Sequence, residues 1–317
     1  TVFGRLYSDV AWQCEKLCQL NAAAVRRLRK VDTEIEHSYR DVFMPEFFAK
    51  VALWNAVDFT KLSDAALRVQ LAEVYSDFVH WTHTEIETIN IAASYYTSQA
   101  QKACEARGVS AQELLAGEVS FSPAGLIQLA ASMPSNSQQM WLQQQMGHRS
   151  VFDYELSEPR YSEIPDTLDM LLRPALIDGS APQPAQPVKV SDPELSRLIE
   201  RSRRYQALKE EAKHNALQHL SVIRRMVLAL DHTFGNDGLV FYLDFEQLLD
   251  EGGDIEALKQ EAADRRRQMR LFNKIPSLPA RITLDVLELA SNPFAVNSDG
   301  AAGDAKGNWV SGSGPIT

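Results

Sequence analysis

Cysteine is scarce in this chain of 317 residues: Cys14, Cys18 and Cys104 make an odd count with no C-x-x-C spacing. That excludes a disulfide framework and a zinc ribbon as organising devices. The three cysteines are instead expected to be small apolar residues in helix interiors. Basic residues are also in deficit, with 32 Lys and Arg against 42 Asp and Glu for a net charge of −10. A general nucleic-acid or anionic-membrane surface is therefore not expected. No apolar run approaches the ~20 residues that a bilayer crossing needs. The opening TVFGRLYSDVAW lacks the charged-then-apolar layout of a secretory leader, so a cytoplasmic protein is expected. Strand signals are few and no fixed-period repeat stands out. The chain begins with Thr1 rather than Met and reads as a piece or processed form of a longer one.

Helical periodicity fills most of what remains, and an all-α domain is the predicted class. Residues 3–29 carry apolar positions at three- and four-residue steps and end in Arg26, Arg27, Arg29 and Lys30, a basic end suited to a helix C-terminus. Thr33 with Glu36 suggests a capping box, and a helix is expected over about 45–57. A long helix, broken once, is expected from Ser63 to about Arg107, with Gly108 as its stop. Ser110 with Glu113 and Ser122 with Pro123 begin short helices. After a connector with three prolines in SAPQPAQPVKV, Asp192 and Pro193 start a helix of about 40 residues, ~60 Å long. Its charged face, including Arg201, Arg203, Arg204, Glu211, Lys213, Arg224 and Arg225, reads as a solvated surface. The run Leu239–Leu243 is expected to be one short extended segment, with Asp244 capping a helix after it. A further helix spans about 254–272, and the glycine-rich tail reads as loop or linker.

Residues 147–163, GHRSVFDYELSEPRYSE, fit neither a helix face nor a strand. They place His148, Arg149, Asp153, Glu155, Glu158, Arg160 and Glu163 in a segment framed by glycine and proline, which implies a shaped loop. Two readings of its ions stand open. Arg149 and Arg160 suit an anion clamp, with Glu155 orienting one of them and His148 exchanging a proton. Alternatively, the arginines pair with Asp153 or Glu155 and clasp the loop. His80, His83 and Glu87 share one helix stripe, but only a His-x-x-His pair is local and no metal site is assigned. Trp54, His80, Trp81 and Tyr95, together with Met140 and Trp141 just before the loop, are candidates for the wall of a small-molecule pocket; core packing is the alternative for each.

Gly147-His148-Arg149, followed by Glu155-Leu156-Ser157 and Pro159-Arg160, resembles the central segment of rifampin phosphotransferase-like and phosphoenolpyruvate synthase-like enzymes. The long helix with Lys209, Glu210, Lys213, Arg224 and Arg225, then Val240-Phe241-Tyr242-Leu243, is similar to a second stretch of that family. Arg265-Arg266-Arg267 and Ile275-Pro276-Ser277-Leu278-Pro279 follow in the same order. Trp309 to Thr317 resembles the entry strand of a phosphohistidine swivel domain. The resemblance covers about residues 140–317, and the earlier part only by helical character.

It implies a middle domain between an ATP-grasp domain and a swivel domain, with a phosphoryl group relayed from ATP through a swivel histidine to an acceptor. No glycine-rich nucleotide loop and no T-x-x-G-G-x-x-S-H-like segment occur in the chain, so ATP and Mg are expected on the missing domains. No cofactor, catalytic residue or metal is assigned here. The implied role is to hold a small, partly apolar acceptor, with the chain alone inactive. A condensing enzyme of the prodigiosin-forming type is a variant of this reading; a stand-alone helical interaction or metal-binding protein is the rival. The expected divisions are 1–140 as the helical pocket part and 141–180 as the charged-loop region. Residues 181–191 form the connector, 192–291 the spine, and 292–317 a linker toward the swivel domain.

Overall fold

In a computed structural model, residues 34–111, 114, 121–177, 190–250 and 252–272 are described, without the side chains of His83 and Ile177. The expected helix at 3–29, the proline connector, the resemblance at 275–279 and the swivel-like end all lie outside the described residues, as do Thr33 and Glu113. The chain divides into two compact units, 1–253 and 254–317, a boundary that falls within the stretch read as the spine. No strand occurs among the described residues, and the class is all-α.

The first unit is organised around one helix. Helix α1 is Met44–Asn55, preceded without a break by a π turn, Ser38–Phe43. Helix α2, Asp64–Trp81, starts where the Ser63 hydroxyl accepts a hydrogen bond from Ala66 N at 3.3 Å. It passes through a second π turn, Thr82–Ile86, into α3, Glu87–Glu105. This is the single irregularity expected in that long helix, and Gly108, at φ +64°, ends it in the left-handed region that favours glycine. Helices α4, Pro123–Ala131, α5, Ser135–Met146, and α6, Asp166–Ile177, form a small three-helix cluster. Its core includes Leu126, Ala130, Leu142, Met146, Leu168 and Leu172.

Helix α7 spans 38 residues, Pro193–Leu230. Asp192 Oδ1 accepts from Glu194 N at 2.8 Å and Leu195 N at 3.1 Å, and Pro193 brings no amide hydrogen that would need a partner in the first turn. Arg107, beyond the end of α3, pairs with Asp192 at 2.5 Å and so ties the two helices at that end. Along their length Tyr96 stacks on Tyr205 at 5.2 Å. Thr97 Oγ1 lies 2.9 Å from Ser202 Oγ. Cys104 is fully buried among Leu114, Leu195 and Ile199, as expected of a small apolar residue; Cys14 and Cys18 lie outside the described residues.

Two expectations are corrected. Leu239–Tyr242 is a 3-10 turn rather than an extended piece. With no neighbouring strand to pair with, its backbone groups bond locally, and Gly238 at φ +72° aims the chain into the turn. Leu239 and Val240 are thereby buried, and Asp244 with Gln247 caps α8, Phe245–Leu249. Nor is the charged face of α7 wholly solvated: Arg224 is only 4% exposed, because the 147–163 loop packs over it.

In the second unit α9, Ile255–Phe272, begins at Asp254, whose Oδ1 accepts from Glu256 N at 3.0 Å. Its surface carries Lys259–Glu256 at 2.8 Å and Arg265–Glu261 at 2.5 Å, the spacing at which helical ion pairs meet.

His219 of α7 lies inside an aromatic cluster, 4.7 Å from the Trp54 ring, 5.2 Å from Trp81 and 5.4 Å from Phe78. Its Nε2 is 2.8 Å from Val74 O. Burial lowers its pKa to about 4, so the folded protein holds it neutral while the unfolded chain binds its proton near 6.5. Stability attributable to His219 is therefore full above about pH 6.5, falls as the pH drops toward 4, and levels off below that, a loss of about 3 kcal/mol. Urea unfolding across this range is expected to show that slope. His219→Gln, which keeps a donor for Val74 O, is expected to reduce it by the equivalent of one proton, about 1.4 kcal/mol per pH unit.

Candidate functional site: a polar cavity along α7

One stripe of α7 is polar where its neighbours are apolar. Glu211, His214, Asn215, Gln218, Ser221 and Arg225 follow at offsets of 3, 4, 7, 10 and 14 residues from Glu211, which confines them to about 120° of arc over about 21 Å. They form one wall of a cavity of about 620 Å³. Facing them are Gln143, Gln144 and Gln145 at the end of α5, then Gly147 and His148, with Ser162 returning from the far side of the loop. Phe48 and Asn55 of α1 and Phe121 complete the lining. The walls are rich in amides and hydroxyls.

The loop is pinned at its base, where Tyr161 N donates to Arg149 O at 2.8 Å and Ser162 N to Gly147 O at 2.9 Å. Glycine is required at 147 by space rather than by φ: a Cβ there would lie 2.4 Å from Gln143 O and 3.4 Å from Ser162 Cβ. Inside the loop, Arg149 is 1% exposed. It grips Asp153 with Nε at 3.2 Å and Nη2 at 2.5 Å while Nη1 donates to Phe121 O at 3.2 Å. Lys213 of α7 reaches the same carboxylate at 3.1 Å. Burial alone would raise the Asp153 carboxyl, but the bonds and charges of Arg149 and Lys213 outweigh it and hold the group below its ordinary range.

Arg160, also 1% exposed, donates to Ser150 Oγ at 2.9 Å and Asp153 O at 3.0 Å. Arg224 makes a bidentate pair with Glu163 at 2.8 and 2.7 Å and also donates to Leu156 O. Glu155 accepts from Ser157 N at 2.8 Å and Ser157 Oγ at 2.7 Å, shaping a local turn. Arg149 thus clasps the loop through Asp153, whereas Arg160 meets no carboxylate and its Nε and Nη2 are buried without a partner; neither guanidinium is among the cavity-lining groups.

His148 is the loop residue that enters the cavity. Its ring lies edge-on to His214 with centroids 4.6 Å apart. Its Nε2 is buried and has no hydrogen-bond partner. Burial, then the adjacent His214 and Arg149, press the His148 pKa down to about 3. Burial and Arg149 bring His214 to about 4. Both imidazoles are neutral near pH 7 and destabilise the fold over the same acid range as His219.

The other candidates read from sequence lie elsewhere. Trp81 is buried in the core and Trp54 packs against it, with ring centroids 6.2 Å apart. Tyr95 leans on Tyr96 at 5.2 Å, Trp141 packs on the α4–α6 cluster, and His80 and Met140 are exposed. Trp81, with Thr82 and Ile86 of the second π turn and Phe43 of the first, borders only a void of about 10 Å³. Among the described residues no group of three or more His, Cys, Asp or Glu is arranged to hold a metal, and no helix is long and apolar enough to cross a membrane. The α7 stripe escaped a reading that weighed only the charges of that helix. His214, Asn215 and Gln218, interrupting an apolar helix at its own period, were the available signal. Compared with protein-family models, curated proteins and solved structures, the chain matches none.

Asp153→Asn leaves Arg149 buried without its counter-charge and is expected to cost about 3 kcal/mol in urea denaturation. Replacing both partners, Arg149→Met with Asp153→Leu, is expected to recover part of that loss, since Arg149 is then no longer a buried charge without its partner.

Proposed function

We propose that this chain is the acceptor-binding helical domain of a multidomain ATP-dependent phosphotransferase, with the acceptor held in the α7 cavity. One observation carries the reading. The loop whose residues resemble the rifampin phosphotransferase-like enzymes, Gly147-His148-Arg149 through Pro159-Arg160, is the same loop that sets Gly147, His148 and Ser162 in the cavity wall. A volume of about 620 Å³ is in the range that encloses a small molecule.

In this reading ATP and Mg serve an ATP-grasp domain, and a swivel histidine brings the phosphoryl group to the acceptor. The N–P bond of that phosphohistidine breaks as an acceptor hydroxyl forms an O–P bond, and the hydroxyl proton passes to the His148 imidazole. The imidazole is neutral near pH 7 and therefore able to accept a proton. The negative charge of the arriving phosphoryl group raises its proton affinity at the moment of transfer. Arg149 and Arg160 are positioning residues that keep His148 on the wall.

In the parent enzyme, His148→Gln is expected to lower acceptor-dependent turnover by about 100-fold, with melting temperature and phosphorylation of the swivel histidine by ATP unchanged. Arg149→Ala is expected to lower the melting temperature as well. Wild-type turnover in His148→Gln would overturn the reading, as would a parent polypeptide with neither an ATP-grasp nor a swivel-histidine domain.

A further inference from the structure

Taking the cavity as the acceptor site, as proposed above, we infer that its occupant carries a carboxylate or phosphate group anchored by Arg225. The two charged ends of the α7 stripe are not equivalent. Glu211 is already neutralised by Arg40, whose Nη1 donates to Oε1 at 2.9 Å and whose Nη2 lies 2.8 Å from Oε2. Arg225 has only neutral partners: Nη1 donates to Asn55 Oδ1 at 2.9 Å and Nη2 to Val57 O at 3.0 Å, and the guanidinium lies 5.0 Å over the Phe59 ring. Among the described residues no carboxylate pairs with it, whereas its sequence neighbour Arg224 is matched by Glu163.

These contacts fix the guanidinium in place yet use two of its five N–H donors, leaving three and a full positive charge at the cavity wall. Of the other cations near the loop, Arg149 and Lys213 are spent on Asp153 and Arg224 on Glu163, while Arg160 has no acidic partner but is buried outside the cavity lining. Among the described residues the cavity therefore holds one fixed, uncompensated charge, and it is positive. Such a group binds an oxyanion through paired charge-assisted hydrogen bonds. The amides of Gln143, Gln144, Gln145 and Gln218 suit hydroxyl or amide groups along the rest of the molecule.

The stripe also sets a scale. Arg225 and His214 are 11 positions apart on α7, on the order of 16 Å along the axis. An occupant that reaches both Arg225 and the His148–His214 pair is elongated, with its anion at one end and its reacting hydroxyl at the other.

The test titrates inorganic phosphate, acetate and, as the neutral control, glycerol into the full chain, followed by NMR of the arginine Nε–H and histidine ring signals. Phosphate or acetate is expected to saturate with a Kd of about 1–10 mM and to shift the Arg225 signal, with glycerol giving no saturable change there. Whichever of phosphate and acetate binds more tightly names the anion. Arg225→Gln is expected to weaken binding at least tenfold, Arg225→Lys to keep most of it, and Arg197→Gln on the exposed face of α7 to leave it unchanged. Failure of both anions to saturate overturns the inference, as does equal affinity in wild type and a folded Arg225→Gln. If Arg225→Gln does not fold, loss of binding in Arg225→Lys to the level of glycerol overturns it instead. Reduced turnover of His148→Gln in the parent enzyme without anion binding would discard Arg225 as anchor and keep the acceptor site. Arg225-dependent anion binding with normal His148→Gln turnover would do the reverse.

Discussion

The carboxylate of Asp153, gripped by Arg149 from within its own loop and by Lys213 from α7, is the contact on which the cavity depends. It joins a segment without regular structure to the longest helix among the described residues. Arg224, bidentate to Glu163, repeats the arrangement about three turns further along the helix. Buried ion pairs add little net stability, because desolvation offsets much of their attraction. What they contribute here is position: with the loop tied to α7 at Asp153 and Glu163, His148 and Ser162 stay on the cavity wall and the glutamines of α5 remain opposite the polar stripe.

Helix α7 serves three environments at once. One face buries Leu195, Ile199, Tyr205 and Leu208 against the cores, another meets solvent, and between them runs the stripe from Glu211 to Arg225. A helix of this length can do so because its residues recur at 3.6 per turn, so six polar side chains share a line without interrupting the apolar one. The cavity along that line holds two neutral imidazoles, a paired acid at one end and an arginine without an acidic partner at the other. That distribution is the physical basis for expecting an elongated, polar, anion-bearing occupant, where the family resemblance had implied a partly apolar one.

Much of the fold was legible because helix ends are local chemistry. Ser63, Ser122, Asp192 and Asp244 each cap the helix that their sequence context implied, and Gly108 ends the one before it at positive φ. The 147–163 loop was visible as a break in periodicity with dense charge. Whether its arginines faced a ligand or one another was not, since both arrangements use the same residues and differ only in which carboxylate lies within 3 Å. Trp54 and Trp81 were ambiguous for a similar reason: an aromatic side chain packs equally well against a ligand or a core, and here the partners are Phe43, Phe47 and His219.

By itself the sequence determined the helical class, the caps, the length of α7 and the place of the charged loop, because each follows from interactions between residues a few positions apart. The tertiary structure alone decided which charges are neutralised. Asp153 meets Lys213, Glu163 meets Arg224 and Glu211 meets Arg40, while Arg225 meets no acid among the described residues. Those pairings join groups far apart in the chain, and the position of each depends on how the helices pack rather than on its neighbours in sequence.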